Sequence, residues 1–482
     1  MYGTSYYMRL LCALVCFSSF TIYPKECCGG TFFKVRKTTT NNALQHNLSL
    51  YWWYHEVVAQ KEDVWWTVQA TPLYQQSNSG KKVAQYFFPC AKECISIKED
   101  GTGDVGSLWL NLIAPQGESF DACLCMRPER RVAGTLLNLR VSLSRWLCNW
   151  WIDTAFAVIK ASHTLNMCVD QRDGDGVACD IANVCQALQQ PGWQVGKFYA
   201  HTRSNHGVDD LQLKLGHNIW FHGGNHLSPY VVTTIGLEKN QPQEYIFEPT
   251  VGSVNNAFGF GCIAEVGLCD WEHGHLAFLT DFKYRYVFSA IETRSMDLCK
   301  NGQWSRYLQV VAQDAPSQAL PGINFFTRKL KVTPGNLIDW FMALHIEHKH
   351  LDVEVGYDFW YRQKEKIRLC ACLPEGFGIY DMIGDCKIAP TSAHCAHISQ
   401  SVIGENVPMS DPMFVQLQSQ DLNVASAATP RAITNMIFGA VGYHGHLCGW
   451  PALFGVGAYY EAATNCAILS NWAVWAKCAL AF

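Results

Sequence analysis

Phe278-Leu279-Thr280-Asp281-Phe282-Lys283-Tyr284-Arg285-Tyr286-Val287-Phe288 is the stretch on which the fold turns. Taken at every second position it splits into a largely aromatic set, Phe278, Thr280, Phe282, Tyr284, Tyr286 and Phe288, and a charge-bearing set, Leu279, Asp281, Lys283, Arg285 and Val287. A helix would scatter both sets around its axis. A strand gives each its own face, because successive side chains point to opposite sides. The stretch therefore reads as a β-strand with one apolar and one charged face.

The same period recurs on both sides of it. Leu211, Leu213, Leu215, Ile219 and Phe221 alternate with Gln212, Lys214, Gly216, Asn218 and Trp220, and Leu351, Val353, Val355, Tyr357, Phe359 and Tyr361 alternate with Asp352, Glu354, Gly356, Asp358 and Arg362. Noisier runs occupy residues 66–74, 136–143, 150–159, 227–237, 337–347, 433–443 and 453–462. Many of these segments run to about ten residues, which suits a tilted crossing of a bilayer better than the five or six of a globular sheet. Aromatics collect near their ends, at Trp65-Trp66, Trp150-Trp151, Trp220-Phe221, Trp360-Tyr361, Tyr459-Tyr460, Trp472 and Trp475, where amphipathic rings suit the headgroup level.

Composition narrows the alternatives. The 482 residues are 49% hydrophobic and 13% aromatic but only 16% charged, well under the quarter usual in soluble domains. This excludes a disordered chain. A formal charge of −4 shows no basic stripe, so nucleic acid is not an expected partner. Beyond the N-terminus no apolar run reaches the length of a helical span, about 18 residues. The N-terminus itself, with Arg9 ahead of Leu10 to Phe20, reads as a secretion signal over residues 1–24. The 22 cysteines of an exported chain point to an oxidising compartment and to disulfides.

The C-terminus carries the most specific pattern. Trp472, Val474, Ala476, Cys478, Leu480 and Phe482 alternate with Ala473, Trp475, Lys477, Ala479 and Ala481, and the sequence stops on Phe482. This resembles the terminal strand of bacterial outer-membrane β-barrel proteins, and the resemblance implies that Trp472, Val474, Leu480 and Phe482 form a signal read by the barrel assembly machinery. His226 to Tyr230, Tyr245 to Pro249 and Gly259-Phe260-Gly261 look like the strand and turn rhythm of hydrophobic-compound transporters of the fatty-acid channel type, although Pro and Gly also simply end strands. Cysteine-rich outer-membrane porins of intracellular bacteria are similar in composition alone.

These readings converge on an all-β fold, a closed antiparallel transmembrane β-barrel of roughly twelve to sixteen strands. The barrel is expected over residues 64–482, after an N-terminal periplasmic arm or plug at 25–63. Long loops are expected at 167–192, with a short helix near Ile181 to Leu188, and at 370–428. Asp281, Lys283, Arg285, Asp352, Glu354 and Arg362 are the candidates to line the lumen. Cys148, Cys466 and Cys478 lie in apolar segments and read as small packed or lipid-facing residues.

Enzyme motifs fare poorly. His345, His348 and His350 lack the H-E-x-x-H spacing of a zinc protease and read as part of an exposed hairpin turn, while Asp170, Asp173 and Asp175 recur as in a calcium loop without its closing acid. No catalytic, cofactor or metal residues are assigned. The expected function is passive passage of small solutes or hydrophobic compounds across a bacterial outer membrane. Its lipids are the expected partners, with a homo-oligomer or disulfide-linked envelope neighbours beside them. The alternative is a structural or adhesive envelope protein held by disulfides.

Overall fold

The computed structural model describes residues 29–46, 66–98, 102–110, 112, 119–144, 146–173, 183–222, 225–238, 244–312, 315–380 and 414–482. The expected signal segment lies outside them. Twelve long strands form the wall: β1 (Trp66–Ser77), β2 (Glu129–Ser142), β3 (Trp150–Thr164), β4 (Leu211–His217), β5 (Asn225–Ile235), β6 (Ala257–Trp271), β7 (Gly274–Val287), β8 (Gly335–His348), β9 (Leu351–Arg362), β10 (Ala432–Leu447), β11 (Trp450–Ala463) and β12 (Asn471–Ala481). Each pairs antiparallel with its neighbour in sequence, and β12 returns to β1 with Thr67 opposite Ala481 and Ser77 opposite Asn471. The sheet is closed. Arg203–Val208 extends β4 along β3, and Trp220–His222 pairs with the start of β5.

Closure without an edge satisfies the wall's backbone groups, which is what permits the outer face to be apolar. Along β7, Phe282 and Tyr286 are exposed while Asp281, Lys283 and Arg285 are at most 3% exposed. The exposed face continues around the barrel through Val355, Ile437, Val441, Val456, Val474, Val231 and Phe260. A contiguous apolar belt of this kind is stable against hydrocarbon and not against water. The chain is a transmembrane β-barrel.

The aromatic girdles are thinner than the sequence reading has them. Trp66, Trp150, Trp220, Tyr460 and Trp472 do point outwards, whereas Trp151, Trp360, Tyr459 and Trp475 are buried inside. The reason is the strand period itself, since adjacent aromatics necessarily face opposite sides. At the closing seam Phe482 stacks on Trp66, with centroids 4.6 Å apart, and also meets Trp450.

The reading of Gly259-Phe260-Gly261 and Pro229 as strand-ending punctuation does not hold, because both lie inside long strands, with Pro229 opposite Cys262. Gly261 faces Tyr230 directly, and a Cβ there would come within 2.3 Å of the tyrosine ring. The missing side chain lets the ring lie across the strand.

The two barrel ends differ. At one, Glu272–His273, Lys349–His350 and Cys448–Gly449 turn tightly between strands, the last with positive φ at both residues (53° and 84°), the twist that suits hairpin strands. At the other, the connections fold into a cap with its own core, which includes Phe88, Trp109, Phe198, Trp304 and Tyr307. One of its sheets joins Cys94–Lys98, Val105–Gly106, Asp121–Cys125 and Cys168–Asp173, and another joins Ala290–Ser295, Thr327–Thr333 and Lys366–Leu369. The cap therefore draws on residues 78–128 and 288–334 besides the expected excursions, of which 174–182 and 381–413 lie outside the described residues. Its strands are too short to show alternation. The expected helix is present as Val184–Ala187, capped by the Asn183 side chain.

Two cysteine findings bear on the expected disulfides. Cys94 and Cys125 form a disulfide across adjacent cap strands. Cys466, read as a packed apolar residue, is also disulfide-bonded.

Candidate functional site

The lumen is occupied by the chain's own N-terminal segment. Residues 29–46 start in the cap, where Gly30 N donates to Tyr86 O, Thr31 Oγ1 donates to Ser295 O at 2.6 Å, and Phe32 lies 3.9 Å from the Arg294 guanidinium. The segment then descends between the strands and ends in the helical turn α1 (Asn42–His46), every residue of which is buried.

Its ionic anchor is Arg36. The guanidinium reaches Glu461 at 2.7 Å on β11, Asp358 at 2.8 Å on β9 and Asp339 at 3.4 Å on β8. Burial opposes the charge, but the three carboxylates outweigh it, so Arg36 stays protonated more firmly than an exposed arginine. Lys37 is less well matched. Burial lowers its pKa, with Asp209 and Asp210 opposing the shift, and among the described residues its Nζ donates to the Gly252 carbonyl. Above them, Arg294 is held between Glu292 and Glu365 at 2.8 and 2.6 Å. Burial raises the Glu365 pKa, yet Arg294 beside it holds the carboxyl well below the usual range.

At the lower end His46 Nε2 lies 2.6 Å from Asp281, which also accepts from the Tyr230 hydroxyl at 2.6 Å. Burial, reinforced by Lys214 and only partly opposed by Asp281, lowers the His46 pKa to about 4. The imidazole is thus neutral at pH 7 and donates Nε2–H to the carboxylate, with Lys214 Nζ 4.0 Å from the same oxygen.

All six lumen candidates face inwards and are at most 3% exposed. Three touch the segment: Asp281 through His46, Lys283 through Asn42 Oδ1 and Thr40 O, and Arg362 through Lys34 O at 3.0 Å. Arg285 shares Asp339 with Arg36, at 2.7 Å. Asp352 and Glu354 stand apart near the tight-turn end, where Asp352 meets His345 at 3.1 Å and His444 at 2.8 Å, and Glu354 lies 3.6 Å from His345. His345 is therefore an inward wall residue, and only Lys349–His350 forms the turn. Asp170 is exposed on a cap strand, and 174–182 of the acidic stretch lie outside the described residues.

Sequence reading missed Arg36, His46, Asp339, Asp209, Lys214, Glu461 and Lys477. Strand period places Asp358 and Lys214 inwards; nothing in a single sequence says that Arg36 meets three strands. Lys477 donates to the carbonyls of Leu44 and Gln45, and Asp209 accepts from Thr39 N. A recess remains where the segment meets β5 to β9. Lys34, Lys37, Arg285 and Arg362 border it beside Val35, Leu337 and Trp360, and its volume of about 70 Å³ holds several waters or a carboxylate-sized group.

No family model matches the chain, and no curated protein matches it. Among solved structures, an outer membrane channel from Pseudomonas putida F1 aligns over 87% of this chain and 96% of its own, at 8% identity and a TM-score of 0.38. The toluene transporter TodX of Pseudomonas putida aligns over 94% and 95% at 9% identity and a TM-score of 0.32. The transport unit of the autotransporter AIDA-I from Escherichia coli aligns over 88% and 91% at 7% identity and a TM-score of 0.29.

Proposed function

We propose that the chain is a gated transport protein of a bacterial outer membrane, closed at rest by residues 29–46, and that it passes small solutes bearing an apolar part and an anionic head. The observation that carries this reading is the chemistry of the occupied lumen. The segment is held by ion pairs and hydrogen bonds to the wall, contacts that exchange with water at modest net cost once the lumen hydrates, whereas an apolar seal would not. The recess supports the solute class, since Lys34, Arg36, Lys37, Arg285 and Arg362 outnumber the one acid on its border, Asp210, next to Val35, Leu337 and Trp360.

Passage through a permanently open polar pore is the less favoured form of this function, because the charged wall residues already have partners inside the barrel. The tight-turn end is assigned to the periplasm and the cap to the cell exterior, after the habit of such barrels to keep their short turns inside.

The test is uptake by a porin-deficient bacterial host expressing the chain. A small aromatic carboxylate should enter several-fold faster than in cells without it, while a neutral disaccharide should not. Equal carboxylate uptake in both strains, with folded barrel present in the outer membrane, would leave the envelope-scaffold reading in its place.

A further inference from the structure

The cap holds a group of cysteines that the transport reading does not use. Cys94, Cys125 and Cys168 are direct neighbours across three successive strands of one sheet, Cys94 opposite Cys125 and Cys125 opposite Cys168. Directly opposed residues share a face of a sheet and bring their Cβ atoms to about 4.5–5.5 Å. The register therefore sets the three side chains in a row across the strands with Cys125 at its centre. Cys94 and Cys125 are bonded, and Cys168 is an exposed thiol on the strand that is outermost in that sheet among the described residues. Cys123 lies off the row, two residues along the central strand. Its Sγ is within 4.8 Å of those of both Cys94 and Cys125.

A thiolate displaces a disulfide sulfur by attack on one sulfur opposite the departing one. Three cysteines in register, with a bond between the first two, can meet that demand when the third side chain turns towards the central one. We propose that Cys94, Cys125 and Cys168 are a thiol–disulfide exchange site, in which Cys125 alternates between two partners and Cys168 passes the disulfide to an external small-molecule thiol.

In the first step the Cys168 thiolate forms a bond to Cys125 Sγ, the Cys94–Cys125 bond breaks, and the leaving Cys94 thiolate takes up the proton that Cys168 gave to water. One disulfide is consumed and one is formed, so no oxidant is needed. In the second step an external thiolate attacks the exposed Cys168 sulfur, which yields a mixed disulfide at Cys168 and a thiolate at Cys125. The inner pair is half-buried and Cys168 exposed, so an external thiol meets Cys168 more readily than either inner sulfur.

The experiment is peptide mapping of the whole folded chain in detergent, after alkylation, without reduction and after incubation with a glutathione redox mixture. The expected result is recovery of both Cys94–Cys125 and Cys125–Cys168 peptides, with a glutathione adduct at Cys168 at least tenfold above that at Cys94. In Cys94→Ser, Cys125 should be recovered bonded to Cys168. In Cys168→Ser, only Cys94–Cys125 should remain, and its exchange with glutathione should slow at least tenfold. Folding of each variant is read separately from the heat-modifiable migration of the barrel, which the cap substitutions leave unchanged. Alkylation of both Cys125 and Cys168 in oxidised, folded Cys94→Ser would overturn the proposal. So would a wild-type chain that yields Cys94–Cys125 alone at every redox ratio.

Discussion

At the scale of single residues, Arg36 makes the most ion pairs between the lumen segment and the wall among the described residues. Its guanidinium compensates Asp339, Asp358 and Glu461, all at most 1% exposed. Arg36→Met would leave those carboxylates without their shared cation, and breaking a buried ion pair from one side costs about 3–5 kcal/mol. The expected outcome is a lower temperature for loss of the heat-modifiable band and faster hydrogen exchange at Thr38 to His46. An unchanged transition would contradict the role given to Arg36. His46 supplies a pH dependence of known sign. Its pKa falls from 6.5 to about 4 on burial, so protons prefer the released segment. Docking is strongest above about 6.5 and weakens as the pH falls towards about 4, by roughly 3 kcal/mol in all. Amides of residues 36–46 should exchange faster at pH 4.5 than at pH 7, and His46→Gln should lessen that difference. Equal protection at the two pH values in the wild-type chain would refute it.

At the scale of elements, the alternation that separates Asp281, Lys283 and Arg285 from Phe282 and Tyr286 is legible because a barrel wall faces two unlike media across every residue. The three clean segments and the seven noisier ones all overlap wall strands, but 136–143, 227–237 and 278–288 overrun them by one or two residues, and 211–221 breaks after His217, where the chain turns before Trp220–His222 pairs with β5. What alternation does not reveal is the demand made by neighbouring strands. The glycines of β6 look like turn rhythm in the sequence, whereas in the wall Gly261 makes room for the Tyr230 ring and Gly259 for the Tyr284 backbone on β7. That pairing gives a contrast within one wall. In Gly261→Ala the new methyl would stand 2.3 Å from the Tyr230 ring and 2.7 Å from the Phe282 carbonyl oxygen, while in Gly439→Ala the nearest atom is 3.8 Å away. Overpacking costs about 1–3 kcal/mol, so the urea midpoint of the folded barrel should drop in the first variant and stay near the wild-type value in the second. Equal midpoints would show that the ring has room to move. Tyr230 also donates to Asp281, so the first substitution should loosen His46 as well.

At the scale of the whole molecule, the wall was legible and its contents were not. Strand period says which side chains face inwards but nothing about what meets them there. The partners of Arg36 lie 303 to 425 residues further along the chain. The cap was hidden for a different reason, since strands such as Val105–Gly106 and Lys366–Leu369 are too short to display a period. Together the three parts form a membrane-embedded wall, a polar segment filling it and a folded cap in which that segment begins. On the proposed function, the barrel is closed by its own residues and is otherwise wide enough to conduct. Conductance of the purified protein in planar bilayers, compared with that of a variant lacking residues 31–46, tests it most directly. The full chain should show little or no stepwise current at pH 7, and the shortened chain, once folded, should show large, steady steps. Equal conductance in the two, or silence in a well-folded shortened chain, would contradict the account.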